Sequence, residues 1–213
     1  ASIHKERCTA LYGVPTMFIA ELNHPMFDMF DMSSLRTGIM AGSLCPVELM
    51  KQVEEKMYMK VTSVYGLTEA APGMTATRID DPFDVRCNTV GHDFEHTEVK
   101  VIDPETGEEC LVGVQGEMCN RGYNTMKGYY KNPEATAAAI DRDGWLHTGD
   151  MGIIDQDGYL FIKGRCKNMI LSSNGQNIYP EEIEDKLNNM PYISESIVIE
   201  KEGKLVALIY PDF

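Results

Sequence analysis

The sequence predicts a mixed α/β fold in three consecutive parts, and three patterns carry that reading. Residues 1–75 alternate strand-like and helix-like segments. From about residue 85 short strands are joined by glycine turns, and a helix-and-hairpin unit begins near Gly164. The 213 residues suffice for one good-sized domain, or for one and a half small ones. With 43% hydrophobic and 24% charged residues, wholesale disorder is excluded. The divisions expected are 1–84, 85–166 and 167–213.

In the first part, Val47, Met50, Val53 and Met57 are spaced three, three and four, with Glu48, Lys51, Glu54 and Glu55 on the opposite side. This is an amphipathic helix over 46–57, with Pro46 suited to its first turn. Val61 to Tyr65 follows as a short strand that Gly66 stops. In the second part, Glu98 to Asp103 alternates around Val99 and Val101, Pro104 to Gly107 turns, and Val112 to Asn120 reads as another strand. A helix is expected over Pro133–Ile140, and a hairpin from Ile153 through the turn at Asp155–Gly158 to Ile162. In the third part, Tyr179-Pro-Glu-Glu-Ile183 opens a helix with acids in its first turn. It ends near Met190-Pro191, and Ser196–Glu200 with Leu205–Tyr210 form a hairpin around Gly203.

Thirty-three acidic against 19 basic side chains leave a net charge of −14, which excludes bulk attraction to nucleic acid or an anionic membrane while allowing a local phosphate pocket. The six cysteines contain no CxxC pair, so neither a zinc ribbon nor a dense disulfide framework fits, and free thiols in a reducing compartment are expected. No apolar run reaches membrane-span length, and the first residues lack the stretch of a signal peptide. The expectation is an acidic cytoplasmic protein with no transmembrane segment. The fourteen methionines read as core filler, or as the wall of an adaptable pocket.

Some spellings imitate chemistry. His92-Asp-Phe-Glu-His96 has H-x-x-E-H form, but Gly91 precedes it and an alternating strand follows, so two solvent-facing turn histidines are expected. Asp141-Arg-Asp-Gly144 and Asp155-Gln-Asp-Gly158 lack the later ligands of a calcium loop and read as turns.

Four segments belong together: Ala41-Gly-Ser-Leu-Cys-Pro46, Tyr65-Gly-Leu-Thr-Glu69, Trp145-Leu-His-Thr-Gly-Asp150 and Gly164-Arg-Cys-Lys-Asn-Met-Ile170. In order and spacing the chain resembles the adenylate-forming superfamily of acyl-CoA synthetases, luciferases and peptide-synthetase adenylation domains. Gly116-Glu-Met, Arg121-Gly122, Gly128-Tyr129 and Asn177 to Ile183 add to the resemblance, and Cys8 to Pro25 leans toward medium- and long-chain fatty-acid members. Any one motif is weak, whereas the ordered set covers essentially the whole chain. The resemblance implies an α/β AMP-binding subdomain, a β-rich subdomain and the start of a mobile C-terminal domain.

It also implies roles. Tyr65 ends a strand where its ring can stack on a base, and Gly66 lets backbone approach a ligand. Thr68 offers a hydroxyl to phosphate and Glu69 a hard carboxylate to Mg²⁺, which makes these two the catalytic candidates. Asp150 is expected on the ribose hydroxyls and Arg165 on the nucleotide. Gly42, Ser43 and Leu44 border adenine and the acyl group, with Ala41 replacing a usual glycine, and Lys167 is the hinge. ATP, Mg²⁺ and CoA follow as cofactors, with a carboxylic acid as substrate; a homodimer is left open.

Two family features are missing from these residues. No Ser/Thr/Gly-rich phosphate loop ending in Pro-Lys lies between Ala1 and Lys60. The lysine of a C-terminal Gly-Lys motif is absent too, because Lys201 and Lys204 flank Gly203 too early. The chain is therefore expected to be a middle-to-C-terminal fragment, inactive by itself. The activity implied is AMP-forming ligation of a carboxylic acid, a fatty acid foremost, to CoA. Alternatives are an aryl- or amino-acid ligase, or a fragment that binds adenylate without turnover.

Overall fold

The computed structural model describes residues 1–43, 45–171, 177–188, 190, 192–201 and 204–211. Helix α1 (Ser2–Glu6) leads into β1 (Ala10–Gly13), α2 (Pro15–Leu22), β2 (Thr37–Ala41), α3 (Val47–Met57) and β3 (Lys60–Tyr65). The three strands are parallel neighbours, with Gly38 paired to Leu11 on one side and Val61 on the other. Strand β4 (Thr75–Ala76), helix α4 (Phe83–Asn88) and strand β5 (His92–Asp93) follow, and the two short strands extend the sheet antiparallel in the order β1-β2-β3-β4-β5.

The helix expected from spacing is α3. It buries Leu49, Met50, Val53 and Met57 against Phe18, Met40 and Val61, leaving Val47 half-buried at the rim. Pro46 stands at the N-cap with φ −61° and ψ 129°, one residue ahead of the expected first turn. Met32, Met40, Met50, Met57 and Met59 are all buried in this one core, so methionine serves mainly as filler.

Strands β6 (Thr97–Ile102), β7 (Gly116–Gly122), β8 (Leu146–Ile154) and β9 (Leu160–Arg165) form a second, antiparallel sheet in sequence order, with α5 (Pro133–Ala139) between β7 and β8. The strand expected from Val112 starts only at Gly116, because residues 111–114 turn: Val114 N–H donates to Leu111 O, and Gly113 has φ +81°. The two Asp-Gly segments are turns. Asp141 Oδ1 accepts from Asp143 and Trp145, and Asp155 Oδ1 accepts from Asp157 and Tyr159. His92 departs from expectation. It lies half-buried in β5, its ring 4.3 Å from that of Tyr159, whereas His96 is exposed at a left-handed turn.

Beyond β9 come β10 (Ile170–Leu171), β11 (Asn177–Ile178), α6 (Pro180–Asn188), β12 (Ile193–Lys201) and β13 (Lys204–Pro211). The last two form the expected hairpin, and α6 covers it: Glu184 Oε1 accepts from Val198 N–H at 2.7 Å, while Ser196 and Val198 are buried. Among the described residues, no helix is long and apolar enough to cross a membrane.

Candidate active site

Parallel strands β2 and β3 run side by side with Ala41 paired to Val64, so the segments that follow them emerge at the same edge. Gly42-Ser43 and Tyr65-Gly66 thus lie at the carboxyl ends of adjacent strands, where open α/β sheets receive ligands. Gly42 and Ser43 are exposed there; Leu44 lies outside the described residues. Gly66 meets an internal requirement of the fold: a Cβ there would lie 1.9 Å from Pro72 O.

Tyr65 carries the connection to the second sheet. Its hydroxyl donates to Asp150 Oδ2 at 2.7 Å, and Asp150 Oδ1 lies 3.1 Å from Arg165 Nε. Asp150 and Arg165 face each other across β8 and β9, so register alone sets that pair. Asp150 is buried at 7% exposure, while the Arg165 side chain paired with it is 64% exposed. Burial pushes the Asp150 carboxyl above its ordinary range, with Tyr65 and Arg165 opposing the shift. Burial, then the Asp150 charge, raises the Tyr65 phenol, so it stays a donor. Asn124, buried in the second sheet's following loop, ties the two sheets further by donating to Gly73 O at 2.8 Å.

Thr68 and Glu69 start a single helical turn, Thr68–Ala70, three residues past Tyr65. Thr68 is exposed. Glu69 is half-buried, and its Oε1 accepts from the Tyr129 hydroxyl at 2.8 Å while its backbone carbonyl accepts from Met126 N–H. Tyr129 was legible only as part of a motif; its bond to Glu69 spans 60 residues and no local pattern signals it. A hard carboxylate with a neutral partner suits Mg²⁺, which binds through one or two carboxylates alongside substrate phosphates.

Behind Asp150 lies a polar cluster that the sequence reading did not single out. Glu117 Oε2 accepts from His147 Nδ1 at 3.0 Å, Glu117 Oε1 accepts from Gly149 N–H at 3.0 Å, and Cys119 Sγ sits 3.7 Å from His147 Nδ1. The three side chains place donor atoms within 4.8 Å of one another. Burial pushes the Cys119 thiol up to about 12, which fits a neutral thiol within a hydrogen-bonded network.

Lys167 is exposed in the helical turn Cys166–Asn168 that follows β9. Two polar bonds bracket it: Lys163 Nζ to Glu182 Oε1 at 2.9 Å and Asn168 Nδ2 to Glu181 Oε1 at 2.6 Å. Both reach α6, so the helix of the third part is fastened to residues on either side of Lys167.

A family profile described as AMP-binding enzyme matches residues 1–130. The chain belongs to the AMP-binding enzyme family. Among curated family proteins it is 54% identical over 199 residues to YngI of Bacillus subtilis, covering 93% of this chain and 36% of that protein. It is 40% identical to the medium-chain acyl-CoA ligase ACSF2, mitochondrial, of Rattus norvegicus, covering 93% and 32%. Among solved structures, the anthranilate CoA ligase AuaEII in complex with anthranoyl-AMP superposes with a TM-score of 0.85 at 28% identity, covering 98% of this chain and 39% of that one. The chain thus spans about a third of the length of the curated relatives it matches.

Proposed function

We propose that the protein to which this chain belongs joins a carboxylic acid, foremost a fatty acid, to CoA at the expense of ATP. The observation that carries the reading is the convergence of Tyr65, Asp150 and Arg165 at the carboxyl end of β3. There an aromatic ring, a buried carboxylate and an outward guanidinium offer a base, two ribose hydroxyls and a phosphate their natural partners.

A carboxylate is a poor electrophile. In the proposed reaction its oxygen forms a bond to the α-phosphorus of ATP, the α–β anhydride bond breaks and pyrophosphate leaves. The CoA thiol then attacks the acyl carbon of the mixed anhydride, and the C–O bond to AMP breaks. Asp150 holds the ribose, Thr68 a phosphate oxygen and Arg165 the nucleotide, while Gly42 and Ser43 border adenine and acyl group. Glu69 would hold Mg²⁺, whose charge would offset that of the phosphates. Lys167 serves as the pivot between the two steps.

The division at 1–84, 85–166 and 167–213 belongs to the same reading. The new unit after Arg165 supports its second boundary, whereas the change of sheet falls between Asp93 and Thr97, past the first boundary, which α4 (Phe83–Asn88) spans. A cytoplasmic location fits six cysteines free of disulfides. The likeness to an anthranilate ligase favours an aryl acid as the second substrate reading.

Acid-dependent exchange of pyrophosphate into ATP by the intact protein tests the proposal, with fatty and aryl acids compared. Exchange independent of any acid, or no exchange, would overturn it. The 213 residues alone should not turn over, since they carry no phosphate loop and losing one transition-state donor costs roughly 10²–10³ in rate.

A further inference from the structure

One residue of β7 faces three of β8. Glu117 pairs with Met151 and Cys119 with His147, so Met118 alone opposes Thr148, Gly149 and Asp150. Such a bulge strips ladder groups of their strand partners, and those groups need others. The Thr148 hydroxyl meets two of them, donating to Met118 O at 2.7 Å and accepting from Asp150 N–H at 3.0 Å. The third, Gly149 N–H, goes to Glu117 Oε1 at 3.0 Å. Gly149 has φ +71° and no side chain, so nothing of its own fixes its plane.

Glu117 is itself held. Its other oxygen accepts from His147 Nδ1 at 3.0 Å, and His147 Nε2 faces Asp141 Oδ2 at 3.7 Å. The Glu117 side chain is only 14% exposed, so water competes poorly for it.

We propose that Glu117 is the positioning residue for Asp150, fixing through Gly149 N–H the turn that aims the Asp150 carboxylate, with His147 as the clamp on Glu117. The inference rests on the reading of Asp150 as the ribose ligand. An ionised acceptor makes a shorter, stronger bond to a backbone amide than a neutral one, and its carboxylate geometry lets one group serve Gly149 and His147 together. Without it the Gly149 amide must find another partner, and the 148–149 peptide plane turns to find one, moving the backbone that leads into Asp150.

The test is AMP affinity of the intact protein, by titration calorimetry, for Glu117→Ala, Glu117→Gln, Asp150→Ala and the double variant Glu117→Ala/Asp150→Ala. Glu117→Ala should weaken AMP about tenfold, the factor one hydrogen bond to a charged group carries. Glu117→Gln, which keeps an acceptor for Gly149, should recover most of that. In the Asp150→Ala background, Glu117→Ala should cost nothing further, because its effect passes through Asp150. Losses that multiply in the double variant would overturn the proposal, as would full affinity in Glu117→Ala while Asp150→Ala weakens binding. If Asp150→Ala leaves AMP affinity intact, the ribose reading falls and this one with it. Should Glu117→Ala fail to fold, His147→Gln must show a smaller loss that likewise vanishes in the Asp150→Ala background; a loss that persists there overturns the proposal.

Discussion

The Tyr65 hydroxyl donates to Asp150 Oδ2 at 2.7 Å, tying the end of a parallel strand to a bulge in the neighbouring antiparallel sheet across 85 residues of sequence. The bond fixes where the carboxylate points. It also leaves a buried acid whose pKa is pushed up by burial, so an ionised Asp150 is held ready at some expense to stability. Preorganised binding groups are commonly kept on such terms.

Asp150→Ala in the intact protein should weaken ATP binding by about 1.5–3 kcal/mol, the range for hydrogen bonds to a charged group. Equilibrium titration with a non-hydrolysable ATP analogue measures this. Unchanged affinity would reassign Asp150 to a purely structural bulge.

Asp150→Asn should separate binding from stability. A group whose folded pKa is raised favours folding most at low pH, and that contribution is lost as pH rises through the folded pKa. Asparagine escapes the loss while still accepting from Tyr65. The variant should therefore melt above the parent at neutral pH without ligand, and the gap should narrow as pH falls below the raised Asp150 pKa. Thermal unfolding at several pH values checks the sign, and a gap that widens on acidification refutes it.

Much of this arrangement was open to reading from local pattern. The three-three-four spacing of Val47, Met50, Val53 and Met57 defines α3, and the paired Asp-x-Asp-Gly spellings define two turns whose aspartates accept from amides two and four residues on. What escaped reading depends on register and distance. Gly113 turns a stretch that looks like strand, because one positive φ outweighs the β-branched residues around it. The bulge opposite Met118 gives Glu117 its task, yet bulges follow from how two strands align, which neither strand spells out. The Tyr129–Glu69 bond joins loops of different sheets.

That bond yields a third prediction. Tyr129→Phe removes the donor that holds Glu69 and should raise the Mg²⁺ concentration needed for half-maximal pyrophosphate exchange several-fold, since a mispositioned carboxylate coordinates less well. An unchanged Mg²⁺ dependence would mean that Glu69 is placed by its backbone alone.

A stability prediction concerns Arg86, which no motif marks. Its side chain is 3% exposed, donates to Val61 O at 2.7 Å and Asp81 O at 3.2 Å, and lies 2.6 Å from Glu54 Oε1. It joins α4 to α3 and β3 from inside. Arg86→Ala should cost about 3–5 kcal/mol, because it strands the half-buried Glu54 carboxylate and two carbonyls. Arg86→Lys should recover only part, one ammonium being unable to reach partners set for a planar fork. Denaturant unfolding of both variants reads the difference.

The last prediction concerns movement at Lys167. The residue lies exposed in a single helical turn between β9 and β10, so its backbone can change φ and ψ without dragging core side chains. Lys163, ahead of it, bonds to Glu182 of α6 across the pivot, whereas Asn168 and its partner Glu181 both lie beyond it. The Lys163–Glu182 pair is half-exposed and weak, which suits a contact that would break if the third part moved. If the third part swings about Lys167 between adenylation and thioester formation, Lys167→Pro should trap one arrangement, since proline fixes φ near −65° and removes a backbone donor. One half-reaction should then survive while the other falls sharply. Glu182→Ala should act differently, releasing Lys163 and shifting the balance between half-reactions without abolishing either. Pyrophosphate exchange reads adenylation, and single-turnover thioester formation from preformed adenylate reads the second step. Equal, modest losses of both steps in Lys167→Pro would indicate simple destabilisation and remove Lys167 from the role of pivot.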